Sequence, residues 1–138
     1  MMRTLAFVLV LVGLSATAAS AQAVQPFNAL QFYTEAEFRA AVAPYAAAAS
    51  ANANDATAHY WLGVAYLHVA RQHRAGLSPW ASGAAAQAIQ SLERSVSLRP
   101  TLASMLALWD AYVTAGELEK GVVMMSRLSG MAPPLPLR

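Results

Sequence analysis

Three histidines are the residues of this chain that are chemically best suited to holding a metal ion. His59, His68 and His73 are separated by nine and five residues. Two histidine ligands that share one helical face usually stand four residues apart. Neither interval has that length, and no Asp or Glu directly flanks any of the three. We therefore predict no metal site and interpret these histidines as ordinary groove or surface residues.

Nucleophilic and acid–base catalysis also lack a recognisable set of residues. The chain has no cysteine, which excludes a thiol nucleophile, a thiolate metal site and a disulfide framework. No G-x-S-x-G sequence presents a hydrolase serine. There is no glycine-rich phosphate loop, and the few acids stand mostly at predicted helix starts. We predict no catalytic residue and no cofactor, and a metal-dependent or hydrolytic enzyme is the least favoured interpretation.

The charged residues give no indication of a nucleic-acid partner. Nine Lys and Arg face seven Asp and Glu, which leaves a net charge of +2. Nucleic-acid binding needs basic residues clustered densely enough to displace counterions from the phosphates. The basic residues here are scattered among acids instead. We predict no contact with nucleic acid.

Residues 1–23 have the pattern of a secretory signal peptide. Arg3 supplies the positive start, Leu5 to Leu14 form an apolar core, and small residues follow. Two A-x-A sites place cleavage after Ala21 or after Ala23, and the sequence leaves both open. The rival interpretation is an uncleaved anchor, but an apolar core of about ten residues is half of what spans a bilayer. We expect an exported protein, periplasmic or secreted, with no stable membrane anchor after cleavage.

The sequence pattern after residue 23 predicts helices only. Apolar residues recur at intervals of three and four, and no segment alternates as a strand does. Alanine, the strongest helix former, is abundant. The predicted helices cover residues 34–50, 56–73, 79–98, 102–115 and 118–128.

The ends of these helices are marked by residues with known end preferences. Thr34 is a predicted N-cap, and Ser78 with Pro79 is predicted to restart the chain as N-cap and first helical residue. Gly130 is a predicted C-cap. Residues 131–138 form a Pro-rich tail.

The segment 24–33 is too apolar for a free linker. It contains Phe27, Leu30, Phe32 and Tyr33. We interpret it as a possible cap that docks on the first helix.

Self-comparison of the chain indicates an internal repeat. Two helices share a pattern of large residue, Leu, variable residue and Tyr, which occurs as His59, Leu62, Gly63 and Tyr66 and again as Met105, Leu108, Trp109 and Tyr112. A second pattern, a small residue followed four positions later by a large one, occurs as Ala41 with Tyr45, Ala88 with Leu92, and Gly121 with Met125. The two patterns alternate along the chain.

This arrangement resembles the tetratricopeptide repeat, whose signature is W-x2-L-G-x2-Y followed by A-x3-F and a proline. The resemblance covers roughly residues 35–129 and about two and a half repeats. It implies an all-α domain over residues 34–130, with antiparallel helix pairs stacked as a short right-handed α-solenoid. The sequence departs from the signature where His59 replaces Trp and Trp109 replaces Gly.

The middle repeat is longer than the last. Tyr66 and Ala88 stand 22 positions apart, whereas Tyr112 and Gly121 stand 9 apart. We interpret the extra length as two extended helices that meet at residues 75–78 and form a protruding hairpin. Trp80 then either packs back on the preceding helix or serves as an exposed aromatic anchor.

The resemblance also implies where a ligand would bind. In this family, ligands lie along the inner face of each first helix. The matching positions in this chain are Tyr60, Val64, Leu67, His68, Leu106, Asp110, Val113 and Thr114. This set is mostly apolar and lacks the basic cluster that clamps a peptide carboxylate, so an apolar or helical segment is the expected ligand.

The sequence therefore predicts an exported protein-binding module, an adaptor or assembly factor in the cell envelope. Its partner would be a protein or peptide. Two alternatives stay open: the chain could be a structural homo-oligomer whose groove pairs with itself, or the segment 24–33 could fill the groove.

Overall fold

A computed structural model describes residues 24–131, and these residues form five α-helices. The predicted signal peptide and most of the Pro-rich tail lie outside these residues. The helices are α1 (Glu35–Ala51), α2 (Ala56–Arg74), α3 (Ala84–Leu98), α4 (Leu102–Ala115) and α5 (Leu118–Met131), with a short 3-10 helix, Pro79–Ala81, before α3. Residues 24–131 contain no strand, and the all-α prediction is confirmed.

Each helix packs against the next one along the chain, from α1 on α2 to α4 on α5. The helix α2 also packs against α4, so the first helices of the two successive repeats lie side by side. This is the order of contacts that stacked helix pairs produce. The predicted solenoid-like stack is confirmed.

The helix starts follow from their capping residues. The backbone N–H and the hydroxyl of Thr34 donate to Glu37 Oε2 at 2.9 and 2.8 Å, and the Glu37 N–H donates back to the hydroxyl. These hydrogen bonds, the backbone one first, lower the pKa of Glu37. Thr101 caps α4 in the same way with Ser104, and the Asp55 carboxylate caps α2. The predicted N-cap at Thr34 is confirmed.

The predicted start of the third helix at Pro79 is wrong. Pro79 does occupy a first helical position, but of the 3-10 helix, and α3 begins at Ala84. The Ser78 hydroxyl does not cap a helix, because it accepts a hydrogen bond from Gln72 Nε2 at 2.9 Å. The irregular turn brings Trp80 against Phe38 of α1, with ring centroids 5.6 Å apart. The end of the long hairpin therefore packs on α1 rather than protruding freely.

The last helix is longer than predicted. It runs to Met131, so Gly130 lies inside it and the predicted C-cap at Gly130 is wrong. The glycines that do adopt a positive φ are Gly76, in the turn after α2, and Gly116, at the end of α4. Both conformations favour glycine because a Cβ would clash with the backbone there.

The core has two parts that meet along α2. The part nearer the N-terminus is rich in aromatic and small residues and contains Phe27, Tyr33, Phe38, Val42, Tyr45, Ala65, Val69, Ala70, Ala81 and Ala84. The part nearer the C-terminus is mainly aliphatic and contains Leu67, Ala88, Ile89, Leu92, Val96, Met105, Leu108, Ala111, Tyr112, Met124 and Leu128. Helix α2 contributes to both, which makes it the central element of the stack.

Trp109 stands where the repeat signature has a glycine, and the packing of the helices explains this difference. In the middle repeat, the small residue Gly63 on α2 faces the buried Leu92 on α3, and a Cβ at Gly63 would lie 2.5 Å from Leu92 Cγ. In the last repeat, the large residue is Trp109 on α4 and the small one is Gly121 on α5, where an added Cβ would lie 3.9 Å from Trp109. The large residue of the contact lies on the second helix in the middle repeat and on the first helix in the last repeat, and close packing is kept in both. Leu92 and Gly121 are not equivalent positions of the repeat.

Alanine substitutions at these two glycines should therefore have opposite effects. Gly63→Ala should lower the free energy of unfolding by about 1–3 kcal/mol, because the added methyl overpacks Leu92. Gly121→Ala should raise it by roughly 0.5–1 kcal/mol, because its new contacts are ordinary and alanine favours the helix. Urea unfolding of both variants, followed by circular dichroism, measures the difference. Equal shifts for the two variants would contradict this packing.

Candidate protein-binding groove

The N-terminal segment packs into the helical stack through two aromatic residues. Phe27 and Tyr33 are both buried, and their rings stack with centroids 5.2 Å apart. Phe27 also packs edge-on against Tyr45 of α1 and lies 5.8 Å from the ring of His68 on α2. The segment thus covers the aromatic part of the core where α1 and α2 meet.

A buried amide side chain fixes this segment to α2. Gln72 Oε1 accepts a hydrogen bond from the backbone N–H of Tyr33 at 3.3 Å, and Gln72 Nε2 donates to the Tyr33 carbonyl at 3.1 Å. The same Nε2 donates to the Ser78 hydroxyl. One side chain therefore satisfies both backbone groups of Tyr33 and also ties down the turn after α2.

An open groove runs between α2 and α4, with Ala29 of the N-terminal segment at its rim. Its volume is about 420 Å³, within the range of known ligand sites. The residues that line it are mostly apolar and come from both helices: Ala29, Tyr60, Val64, Leu67, His68, Arg71, Ala103, Leu106, Ala107, Trp109 and Asp110.

The predicted ligand-facing residues divide into two groups. The six that line the groove are Tyr60, Val64, Leu67, His68, Leu106 and Asp110. Val113 and Thr114 do not line it. Val113 lies beside Gly121 of α5, and Thr114 lines a separate cavity near the end of α4.

Residues within the groove differ in how accessible they are. Leu67 is only 3% exposed and belongs to the core, so it forms the floor. Leu106 is 45% exposed and is the most open large apolar side chain of the groove. Tyr60 is partly buried, and burial raises the pKa of its phenol.

Charged and polar groups lie at one end of the groove, around Arg71 and His68. Arg71 on α2 forms an ion pair with Asp110 on α4. His68 Nε2 donates to the carbonyl of Gln31 at 2.7 Å. The ion pair links the two helices, and the histidine links α2 to the N-terminal segment. The groove is therefore apolar along its length and polar where these two contacts lie.

The three histidines lie apart and each one bonds a backbone carbonyl. His59 bonds Ala53, His68 bonds Gln31, and His73 bonds the Ser78 carbonyl through Nδ1 at 2.9 Å. Within residues 24–131, no three His, Cys, Asp or Glu side chains converge on one point. These histidines hold loops and the N-terminal segment against α2.

Sequence reasoning missed five of the groove residues, which are Ala29, Arg71, Ala103, Ala107 and Trp109. A periodicity signal was available for three of them. Arg71 follows His68 by three positions on α2. Ala103, Ala107 and Asp110 stand four and three positions apart on α4, which is the spacing of one helical face. Trp109 was hidden by its place at the signature glycine position.

Comparison with family models, curated proteins and solved structures yields no match to this chain. Of the helices between residues 24 and 131, none is long and apolar enough to cross a membrane.

Removing the amide of Gln72 should loosen the N-terminal segment. Gln72→Leu leaves the backbone N–H and carbonyl of Tyr33 without partners, which should lower the free energy of unfolding by about 2–4 kcal/mol. Gln90→Leu on the exposed side of α3 is the matched control and should change stability by less than about 0.5 kcal/mol. Thermal and urea unfolding measure both. Equal stability of the two variants would show that the amide does not hold the segment.

Proposed function

We propose that this chain is an exported tetratricopeptide-like module that binds another protein, acting as an adaptor or assembly factor in the cell envelope. The proposal rests on the groove between α2 and α4. Residues chosen from the repeat pattern on two separate helices line one open apolar groove, with Leu106 accessible in it. Exposed apolar surface rimmed by polar groups is typical of protein interaction sites.

The internal repeat supports the family assignment. The helices that share the Leu and Tyr pattern, α2 and α4, are the two that lie side by side. The paired small and large residues fall where helices touch, at Gly63 with Leu92 and at Trp109 with Gly121. Gly63 and Trp109 hold the same position of the repeat, and each packs on the second helix of its own pair, as a repeat protein requires.

The shape of the groove favours a helical ligand with one apolar face. From Tyr60 to Arg71 the groove follows α2 for twelve residues, which corresponds to about 16 Å, or three helical turns. A helix with apolar residues at positions i, i+3 or i+4, and i+7 presents a matching stripe over that length. The ion pair of Arg71 with Asp110 offers both signs of charge to a polar residue at one end of such a helix.

The proposed export rests on the sequence of residues 1–23. Their positive start, apolar core and A-x-A sites are those of a cleaved leader. Cleavage would free the described helices into the periplasm or the medium, where the partner must also be found.

Affinity capture from an envelope extract of the native host tests the groove directly. The bait is the full chain, compared with Leu106→Asp, which places a charge on the accessible wall of the groove. The control is Leu77→Asp, since Leu77 is a leucine in the turn after α2 that is even more exposed than Leu106 and does not line the groove. We expect a partner that is held by the original chain and by the control but lost by at least about tenfold with Leu106→Asp.

Two results would contradict the groove. The partner could be retained by Leu106→Asp, or it could be lost equally with both leucine variants. Circular dichroism of each bait must first show the same helix content, because only then does lost binding report on the surface.

A further inference from the structure

The last helix exposes an apolar surface that faces away from the core. Val122 and Val123 of α5 are 67% and 64% exposed. The opposite side of α5 is buried through Gly121, Met124 and Leu128. Isolated exposed valines are ordinary, but neighbouring ones on a helix that closes a stack lie where further packing would occur.

The internal repeat shows what this surface corresponds to. Ala88 on α3 matches Gly121 on α5, so Ile89 matches Val122. Ile89 is buried in the core part that α3 shares with α4. Val122 has the equivalent place on α5, and among residues 24–131 no helix covers it. Val122 thus lies on the side on which the stack would receive one more helix. Val123 matches Gln90, which is exposed on α3, so Val123 lies beside that side rather than on it.

Two charged residues are placed symmetrically around the middle of this surface. Glu119 and Arg127 stand four positions before and four positions after Val123. Both are exposed, and the ion pairs found among residues 24–131 involve neither of them. A single helix keeps these two charges about 12 Å apart, so they cannot neutralise each other within one chain.

We propose that two copies of this chain associate through α5, with the helices antiparallel and a twofold axis at Val123. In that arrangement Glu119 of each copy faces Arg127 of the other, which forms two equivalent ion pairs around the valines. A twofold interface uses the same patch on both copies, and opposite charges equidistant from the axis satisfy that symmetry. Ser126 and Gly130, both exposed on α5, are small enough to let the two helices approach closely.

The size of the surface determines how tightly two copies are expected to associate. Helix α5 has 14 residues and is about 21 Å long, which is small for an obligate dimer interface. The two copies should therefore exchange between monomer and dimer at micromolar concentrations. This inference does not depend on the proposed function, because the groove is formed by α2 and α4.

Sedimentation equilibrium of the full chain and three charge variants tests the proposal. Glu119→Arg alone and Arg127→Glu alone should each raise the dimer dissociation constant by about tenfold or more, because each places like charges opposite each other. The double variant, Glu119→Arg with Arg127→Glu, should restore the original value. Only residues that face each other across a twofold axis give this pattern of loss and recovery.

Uncharged positions provide the controls. Val123→Asp should abolish the dimer, whereas Leu30→Asp, at a still more exposed residue of the N-terminal segment, should leave it intact. A chain that stays monomeric up to about 1 mM, which corresponds to roughly −4 kcal/mol, would overturn the proposal. A dimer whose dissociation constant is unchanged by both single charge reversals would also overturn it. So would a dimer that is lost with Leu106→Asp, because that result would place the interface in the groove.

Discussion

A pair of helices in this chain can bury its apolar side only against the next pair, so both ends of the stack need cover. At one end the cover is the N-terminal segment, whose Phe27 and Tyr33 complete the aromatic part of the core. Gln72 makes that cover possible, because it satisfies the backbone of Tyr33 in a place that water does not reach. At the other end, α5 keeps Val122 and Val123 open. One end of this short stack is thus covered, whereas the other end keeps apolar side chains exposed.

The same constraint explains why the groove is open. The N-terminal segment crosses α2 beside His68 and continues into α1, so it contributes Ala29 to the rim and covers the core rather than the space between α2 and α4. Leu67 closes the floor and Leu106 stays accessible. The alternative in which the segment fills the groove therefore does not describe residues 24–33. Two adjacent helices line this groove, and an ion pair crosses one end of it.

Much of the helical arrangement could be predicted from local signals. The capping box at Thr34 and the Leu and Tyr pattern on α2 and α4 depend only on neighbouring residues or a repeat, and both predict helices correctly. The start of α3 could not be predicted, because Ser78 is drawn away from capping by Gln72, six positions earlier, in a contact with no sequence signature. Val113 and Thr114 were also misplaced. The resemblance assigns them to the inner face, whereas Val113 lies beside Gly121 of α5 and Thr114 lines a separate cavity.

Hydrogen exchange at the backbone amide of Tyr33 tests most directly whether the N-terminal segment is an integral part of the stack. That amide donates to the buried Gln72 side chain, whereas the amide of Leu30 donates only to the exposed side chain of Asn28. We predict that the Tyr33 amide exchanges as slowly as amides within α2, while the Leu30 amide exchanges quickly. If both amides exchange at the same fast rate, the segment does not cover the core, and the end of the stack must be closed by something else.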